Sequence, residues 1–142
     1  MHSLSHCATA VCDSEPTAAF DFLADSSRLG SWALGCWDAK PFAEGVVGGT
    51  SLFDGSQTYA RLDADAVRLA VDFAVGSDPH QLVHRISARV VPAAALGYPE
   101  GSSIVTLLAW RGADMPDDRW DRLVVSHEAE ILLLQARLEE RT

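Results

Sequence analysis

Histidine titrates near neutral pH, and two histidines occupy positions that the sequence predicts to be buried. In residues 82–91, one alternating set is apolar apart from His84, and the other set contains Arg85, Ser87 and Arg89. Because successive side chains of a strand point to opposite faces, we expect the charged set to face water and His84 to point inward. An inward His84 suits either a hydrogen-bonding or general acid/base role in a pocket, or a core position bonded to a neighbour.

His127 interrupts the apolar stripe of a long helix predicted from Asp117 to Arg141. The members of the stripe recur at spacings of three and four residues, which places them on one helix face. They are Trp120, Val124, Ile131, Leu134 and Leu138. A leucine would pack better than a histidine on a buried face, so a ligand-binding role and a structural role are both open. His84 and His127 would address one ligand if the sheet register brings them together.

Aromatic and aliphatic side chains supply the remaining candidate contacts. Aromatic rings either fill a core or line a pocket, and a pocket for an apolar ligand needs mainly apolar walls. With the two histidines, the predicted ligand-binding residues are Tyr59, Phe73, Trp110, Val124 and Ile131. The residue types alone do not assign a catalytic residue.

Motifs for metal, nucleotide and hydrolase sites are absent from the sequence. His127-Glu128 begins like a zinc-binding helix motif, but Ile131 stands where the second histidine belongs. His80 and His84 would lie about 13 Å apart along a strand, too far to share an ion. No phosphate-binding or dinucleotide glycine motif occurs, and residues 49–53 lack the closing glycine of a nucleophile elbow. We therefore predict neither a metal site nor a cofactor.

The charge balance argues against nucleic acids and anionic membranes as partners. The sequence has 11 basic and 20 acidic residues, a formal net charge of −9, whereas phosphate binding needs clustered Lys and Arg. No apolar run approaches the roughly 18 residues that span a bilayer, so we expect no membrane insertion. The segment Met1 to Cys12 lacks the features of a signal peptide, and three cysteines, an odd number, suit reduced thiols. A cytoplasmic location is therefore expected.

The order of strands and helices predicts one α+β domain over residues 1–142. A first strand, Leu4 to Cys12, precedes two short helices with starts at 13–16 and 25–27. Strand-like segments with short turns follow, which implies an antiparallel sheet of about six or seven strands. These segments are 36–42, 51–53, 57–63, 67–75, 82–91 and 103–111, with glycines 45, 48 and 49 expected in a turn or bulge.

The last of these strands is apolar on both of its alternating sets. A strand of this kind is expected to be covered on both faces. A second copy of the chain would cover the outer face, so a homodimer is an open expectation.

This order of elements resembles the START-like, or SRPBCC, superfamily of polyketide cyclase/dehydrase-like, pollen-allergen-like and lipid-transfer proteins. The resemblance rests on Ser14-Glu15-Pro16 before the segment Phe20 to Asp25, on Leu29 to Trp32, on Trp110-Arg111, and on the capped terminal helix. It implies a helix-grip fold, in which a curved antiparallel sheet wraps around a long C-terminal helix above an apolar cavity. Members of the superfamily differ widely in function, so the fold does not select one.

Three functions are compatible with the resemblance. We favour binding of a small or medium hydrophobic molecule, a lipid or an aromatic or polyketide-like metabolite, with His84, His127 and Tyr59 orienting its polar end. The alternative is a polyketide cyclase or dehydratase-like enzyme that uses a pocket histidine as general acid/base. A third is an interaction protein that acts through its surface, as in the chaperone-activator branch of the superfamily.

Overall fold

The protein is built around an antiparallel sheet, which the computed structural model describes within residues 3–140. The strands are β1 Ser5–Cys12, β2 Trp37–Ala43, β3 Val46–Thr50, β4 Gln57–Asp65, β5 Ala70–Gly76, β6 Val83–Pro92 and β7 Ser103–Trp110. Over the described residues these seven pair in the order β1-β7-β6-β5-β4-β3-β2. The helices are α1 Pro16–Ala24 and α2 Asp117–Leu138, with short 3-10 segments at Ser26–Ser31, Leu34–Cys36 and Ala93–Leu96. The predicted α+β class, with a curved sheet and a long C-terminal helix, is confirmed.

Both α-helices begin where the sequence predicts a helix start. Pro16 lies in the first turn of α1, where its missing N–H removes no hydrogen bond. Asp117 and Asp118 lie in the first turn of α2, where negative charge interacts favourably with the helix dipole. The described part of α2 ends at Leu138, whereas the predicted end at Arg141 lies outside the described residues.

The hairpin of β2 and β3 differs from the expected pattern. The strand predicted at residues 51–53 lies earlier, at β3, and Gly45 (φ 74°) occupies the turn before it. Gly49 lies inside β3, where a Cβ atom would be only 2.8 Å from the Trp37 carbonyl oxygen. A Cβ on Gly48 would lie 3.2 Å from Cε1 of Tyr59. These two glycines therefore permit close contact with neighbouring segments instead of forming a turn.

Hydrogen bonds at both ends hold α2 across the sheet. Near its start, the Nη2 atom of Arg111, just after β7, donates to the Met115 carbonyl (2.7 Å) and to Asp117 Oδ1 (2.6 Å). Towards its end, Gln135 Nε2 donates to the Val11 carbonyl of β1 (2.8 Å). The long helix is thus fixed to the two strands β7 and β1.

The apolar stripe of α2 faces the sheet. Ile131 and Leu134, 3% and 0% exposed, join the main core, and Trp120, 1% exposed, packs with Ala109 and Met115. The helix is amphipathic, as the spacing of its apolar residues predicts. Among the helices within residues 3–140, none combines the length and the hydrophobicity of a bilayer span.

A β-bulge interrupts the pairing of β5 with β6. Phe73 pairs with Ile86 and Ala74 pairs with His84, which leaves Arg85 without a partner in the ladder. An extra residue in one strand shifts the alternation of side chains on either side of it. The residues of β6 before and after Arg85 therefore follow different alternation patterns.

Candidate ligand-binding cavity

A cavity of about 230 Å³ lies between the inner face of the sheet and α2. Its walls are mainly apolar side chains from the 3-10 segments, the sheet and α2. They include Leu29, Trp32, Ala33, Phe73, Ile86, Leu107 and Leu123. The cavity lies where a helix-grip fold implies one.

Exposed residues from two elements form the mouth of the cavity. The first turns of α2 place Arg119 and Arg122 on one side. The loop between β3 and β4 places Phe53, Asp54 and Ser56 on the other. The opening therefore carries charged and polar side chains beside Phe53, whereas most of the interior wall is apolar.

The bulge in β6 brings Arg85 to the cavity wall and turns His84 away from it. Ile86 lies on the inner face of the sheet with its ladder partner Phe73, and both line the cavity. Arg85, the unpaired residue of the bulge, also lines it, although strict alternation assigned Arg85 to solvent. Bulges often re-aim a side chain in this way.

The inward orientation predicted for His84 is wrong. Its side chain is about half exposed on the outer face, with Nε2 at 3.0 Å from Ser87 Oγ and 3.2 Å from Asp72 Oδ1. Trp110 shares this face: it is 41% exposed, and its ring packs edge-on against that of His84 at 5.8 Å. Neither side chain lines the cavity, because the bulge and the pairing of β7 place both on the far side of the sheet.

The two predicted aromatic residues on β4 and β5 differ in orientation. Phe73 is buried and lines the cavity. Tyr59 borders the cavity between the inward-facing Thr58 and Ala60, but its ring packs against that of exposed Phe42, with centroids 4.8 Å apart. Because neighbouring side chains of a strand alternate, the Tyr59 ring lies on the outer face and does not orient a ligand inside.

The two aliphatic residues predicted on α2 pack beside the cavity and do not line it. Ile131 is buried in the main core, and Val124 packs against the cluster of Ala109, Met115 and Trp120. His127 does line the cavity. Of the predicted residues, the structure thus brings His127, Phe73 and the backbone region of Tyr59 together.

Glu130 is a buried acidic residue in the cavity wall, and it was not among the residues predicted from the sequence. The residue is 7% exposed, and its Oε2 accepts the Leu34 N–H at 2.8 Å. Burial raises the pKa of Glu130 to about 8, and this hydrogen bond lowers it only in part. At neutral pH the side chain is therefore a carboxylic acid, able to donate one hydrogen bond and to accept others.

His127 lies next to Glu130 and is neutral. It is 2% exposed, and its Nε2 is 3.9 Å from Glu130 Oε1, beyond hydrogen-bond length. Burial lowers the pKa of His127 to about 4, helped by the charges of His6 and Arg85. The cavity thus holds a neutral acid and a neutral base side by side.

Two residues that line the cavity have a ring nitrogen without a hydrogen-bond partner. Trp32 Nε1 and His127 Nδ1 are buried and make no hydrogen bond to any residue in the range 3–140. The hydroxyls nearby are already engaged: Thr58 donates to the Gly35 carbonyl (2.6 Å) and Ser126 to the Leu123 carbonyl (2.8 Å). A buried polar nitrogen without a partner is costly, so both nitrogens are available to hydrogen-bond a guest molecule.

The donor set does not resemble a metal centre. Within the described range, no three histidine, cysteine or acidic side chains lie close enough together to hold a metal ion. The chemistry available in the cavity is hydrogen bonding, proton transfer between neutral groups, and charge pairing at its mouth.

The helical spacing of α2 indicated that Glu130 is buried, whereas the alternation of residues in β6 did not indicate that Arg85 faces the cavity. Glu130 lies three residues after His127 and four before Leu134, so it falls on the face of the apolar stripe. A charged residue at such a position indicates either a functional site or a wrong assignment of the face. The bulge that redirects Arg85 depends on the pairing of β5 with β6, and it cannot be recognised from the sequence of β6 alone.

No protein-family model matches the sequence, and no curated protein matches it. Solved structures do match. The di-domain aromatase/cyclase BexL, from the BE-7585A biosynthetic pathway, aligns over 98% of this chain and 47% of its own, with a TM-score of 0.70 and 15% identity. The Aha1 dimer from Colwellia psychrerythraea aligns over 96% and 97%, with a TM-score of 0.68 and 13% identity.

The Zhui aromatase/cyclase from Streptomyces sp. R1128 aligns over 95% of this chain and 93% of its own, with a TM-score of 0.63 and 12% identity. At such low identities the likeness establishes architecture and not activity. The chain therefore has the helix-grip fold that these structures share.

Proposed function

We propose that this protein binds a small hydrophobic molecule in the cavity beneath α2. The observation that carries the proposal is the combination of apolar walls with buried, unpartnered Trp32 Nε1 and His127 Nδ1. A ligand with an apolar body and a polar group would bury its surface against the walls and satisfy these nitrogens. The aromatase/cyclases that share the fold support a cavity of this kind, although they do not identify its content.

The size of the cavity restricts the ligand. Its volume of about 230 Å³ is below the roughly 300–1,000 Å³ of sites that hold drug-sized molecules. A molecule of one or two fused rings fits this space, whereas a long acyl chain would have to extend through the mouth. We therefore favour a small aromatic metabolite over a lipid.

Filling the cavity is expected to abolish binding. Ala60 lines the cavity and is 1% exposed, so Ala60→Phe would place a ring in the ligand space at a stability cost of about 1–3 kcal/mol. Ala64→Phe, on the exposed end of the same strand, is the matched control. Titration calorimetry uses methyl 2-naphthoate as a neutral probe. Ala60→Phe should bind it at least about tenfold more weakly than wild type, and Ala64→Phe should bind it as wild type does. Equal affinities for wild type and a folded Ala60→Phe variant would refute binding in this cavity.

Native mass spectrometry of the purified protein tests for a natural ligand directly. A bound small molecule released on denaturation would give the chemical class of the ligand. The same spectrum gives the oligomeric state, which bears on the outer face of the sheet, where Val11 and Trp110 are 37% and 41% exposed. A second copy covering this face remains a proposal, and a purely monomeric spectrum would contradict it.

The alternative function, general acid/base catalysis of a cyclase or dehydratase kind, is supported by the neighbouring His127 and Glu130. In an aldol closure, neutral His127 would take a proton from carbon while the new C–C bond forms. Protonated Glu130 would then supply a proton to the carbonyl oxygen. The distance of 3.9 Å between the two side chains places both within reach of one small substrate.

Proton transfer from carbon to His127 can be tested with 5-nitrobenzisoxazole, a small apolar probe. Removal of its C–H proton forms a nitrile and breaks the N–O bond, releasing a coloured phenolate. We expect catalysis to be constant from pH 5 to 8 and to fall near pH 4, because the pKa of His127 is about 4. His127→Gln should lower the rate by about 10²-fold or more, whereas His84→Gln on the outer face should not change it. A rate unaffected by His127→Gln would exclude His127 as the base.

A further inference from the structure

The cavity concentrates positive charge in an acidic protein. The chain has a net charge of −9, yet Arg85, Arg119 and Arg122, three of its 11 basic residues, line this one cavity. The acidic side chains that line it are Asp54 and Glu130. Glu130 is protonated at neutral pH, since burial raises its pKa to about 8. The cavity therefore has a net positive charge of about two at pH 7, counted from these five side chains.

Two of the three arginines have a carboxylate nearby. The guanidinium of Arg122 is 3.8 Å from Asp118 one turn earlier on α2. Arg119 lies near Asp54: hydrogen bonds from Ser56 are the main cause of the lowered pKa of Asp54, and the charge of Arg119 contributes. These two guanidinium groups are exposed and at least partly compensated within the protein.

Arg85 has no such compensation. Its guanidinium makes no hydrogen bond or ion pair with any residue from 3 to 140, and the side chain is partly buried at the cavity wall. Burial lowers the pKa of its guanidinium, and the charge of Arg119 adds to this effect. Withdrawing an unpaired guanidinium from water is unfavourable, and a bound anion would offset that cost.

We propose that the ligand is a small aromatic carboxylic acid whose ring occupies the cavity and whose carboxylate pairs with Arg85. A guanidinium matches a carboxylate with two parallel hydrogen bonds, which fixes orientation as well as charge. Trp32 and Phe73 meet edge to face at 5.8 Å and supply an aromatic wall for the ring. This inference rests on the proposed binding function and names the class of molecule that the site selects.

The test compares 2-naphthoate with its methyl ester, which has the same ring and no charge. By titration calorimetry at pH 7 and low salt, wild type should bind 2-naphthoate at least about tenfold more tightly than the ester. Arg85→Gln should remove this preference, so that acid and ester bind with similar affinities, while Arg85→Lys should retain part of it. Arg89→Gln, four residues along the same strand and exposed, is the matched control and should keep the full preference.

Each outcome decides between the inference and the function on which it rests. Equal binding of acid and ester by wild type would overturn the inference, while apolar ligand binding would still hold. This comparison uses only the wild-type protein, so it does not depend on whether a variant folds. A preference for the acid that survives Arg85→Gln would overturn the role of Arg85. If wild type binds neither probe, both the inference and the proposed function are refuted for ligands of this size.

Discussion

Replacing Glu130 by glutamine is expected to raise the free energy of unfolding at pH 8 and above by several kcal/mol. Burial raises the pKa of Glu130 from 4.5 to about 8, and each pH unit of difference corresponds to about 1.4 kcal/mol. Ionisation of this carboxyl in the folded protein is therefore about 5 kcal/mol less favourable than in the unfolded chain. Glutamine is never ionised, and its amide oxygen can still accept the Leu34 N–H that now bonds to Oε2.

The sign of the pH dependence follows from proton binding. Below pH 4.5 Glu130 is protonated in both states, and its ionisation does not affect stability. Between pH 4.5 and 8 the unfolded chain has lost this proton while the folded protein keeps it, so stability falls as pH rises. Above about pH 8 the loss is complete. The difference between Glu130→Gln and wild type should therefore grow from pH 4.5 to 8 and then stay constant.

Urea unfolding at pH 4, 6, 8 and 9, followed by circular dichroism, measures this difference. Glu44→Gln, in the exposed turn between β2 and β3, is the control and should follow wild type at every pH. A Glu130→Gln variant with the stability of wild type at pH 9 would show that Glu130 ionises in the folded protein as easily as in water. Such a result would contradict a buried Glu130 that is protonated at neutral pH.

The fold was predictable because its main signals are periodic. The stripe through Trp120, Ile131 and Leu134 reports a helix with one buried face, and the structure buries all three. Short turns between the apolar segments limited the sheet to antiparallel pairing. Such patterns report burial over many residues, so an error of two residues at an element boundary does not change the architecture.

The site was less predictable because it depends on single residues. One extra residue in β6 shifts the alternation, removes His84 from the cavity and places Arg85 in it. Glu130 lay at the correct helical spacing, but its residue type favours solvent, and only the packing of α2 against Leu34 shows that it is buried. Alternation also could not reveal that the ring of Tyr59 packs on Phe42, outside the cavity. Local patterns assign a face, whereas tertiary contacts determine which side chains meet.

Replacing His127 by leucine is expected to stabilise the protein in acid, with an effect of opposite slope to that of Glu130→Gln. Burial lowers the pKa of His127 from 6.5 to about 4. As pH falls from 6.5 to 4, the unfolded chain binds a proton at this histidine and the folded protein does not, so wild type loses stability. Over this interval the loss reaches about 3 kcal/mol at roughly 1.4 kcal/mol per pH unit, and leucine removes it.

The charged and titratable groups around His127 affect its pKa and therefore the pH range of this test. His6 on β1, Arg85 on β6 and Glu130 on α2 lie around it, and the first two contribute to the low pKa through their charge. His80→Gln, in an exposed turn, is the control and should follow wild type. If wild type and His127→Leu lose the same stability between pH 6.5 and 4, His127 is not a neutral, buried histidine.

The two buried groups together predict a stability profile that neither would give alone. Between pH 4.5 and 6.5 Glu130 lowers stability with rising pH while His127 raises it, so their effects on the wild-type curve oppose each other. His127→Leu should therefore expose a fall in stability that begins near pH 4.5, and Glu130→Gln should expose a rise that ends near pH 6.5. Because the side chains are 3.9 Å apart, the double variant measures their coupling, which we expect to be nonzero. Strict additivity across this pH range would mean that the acid and the base do not interact, and it would argue against their joint action on one substrate.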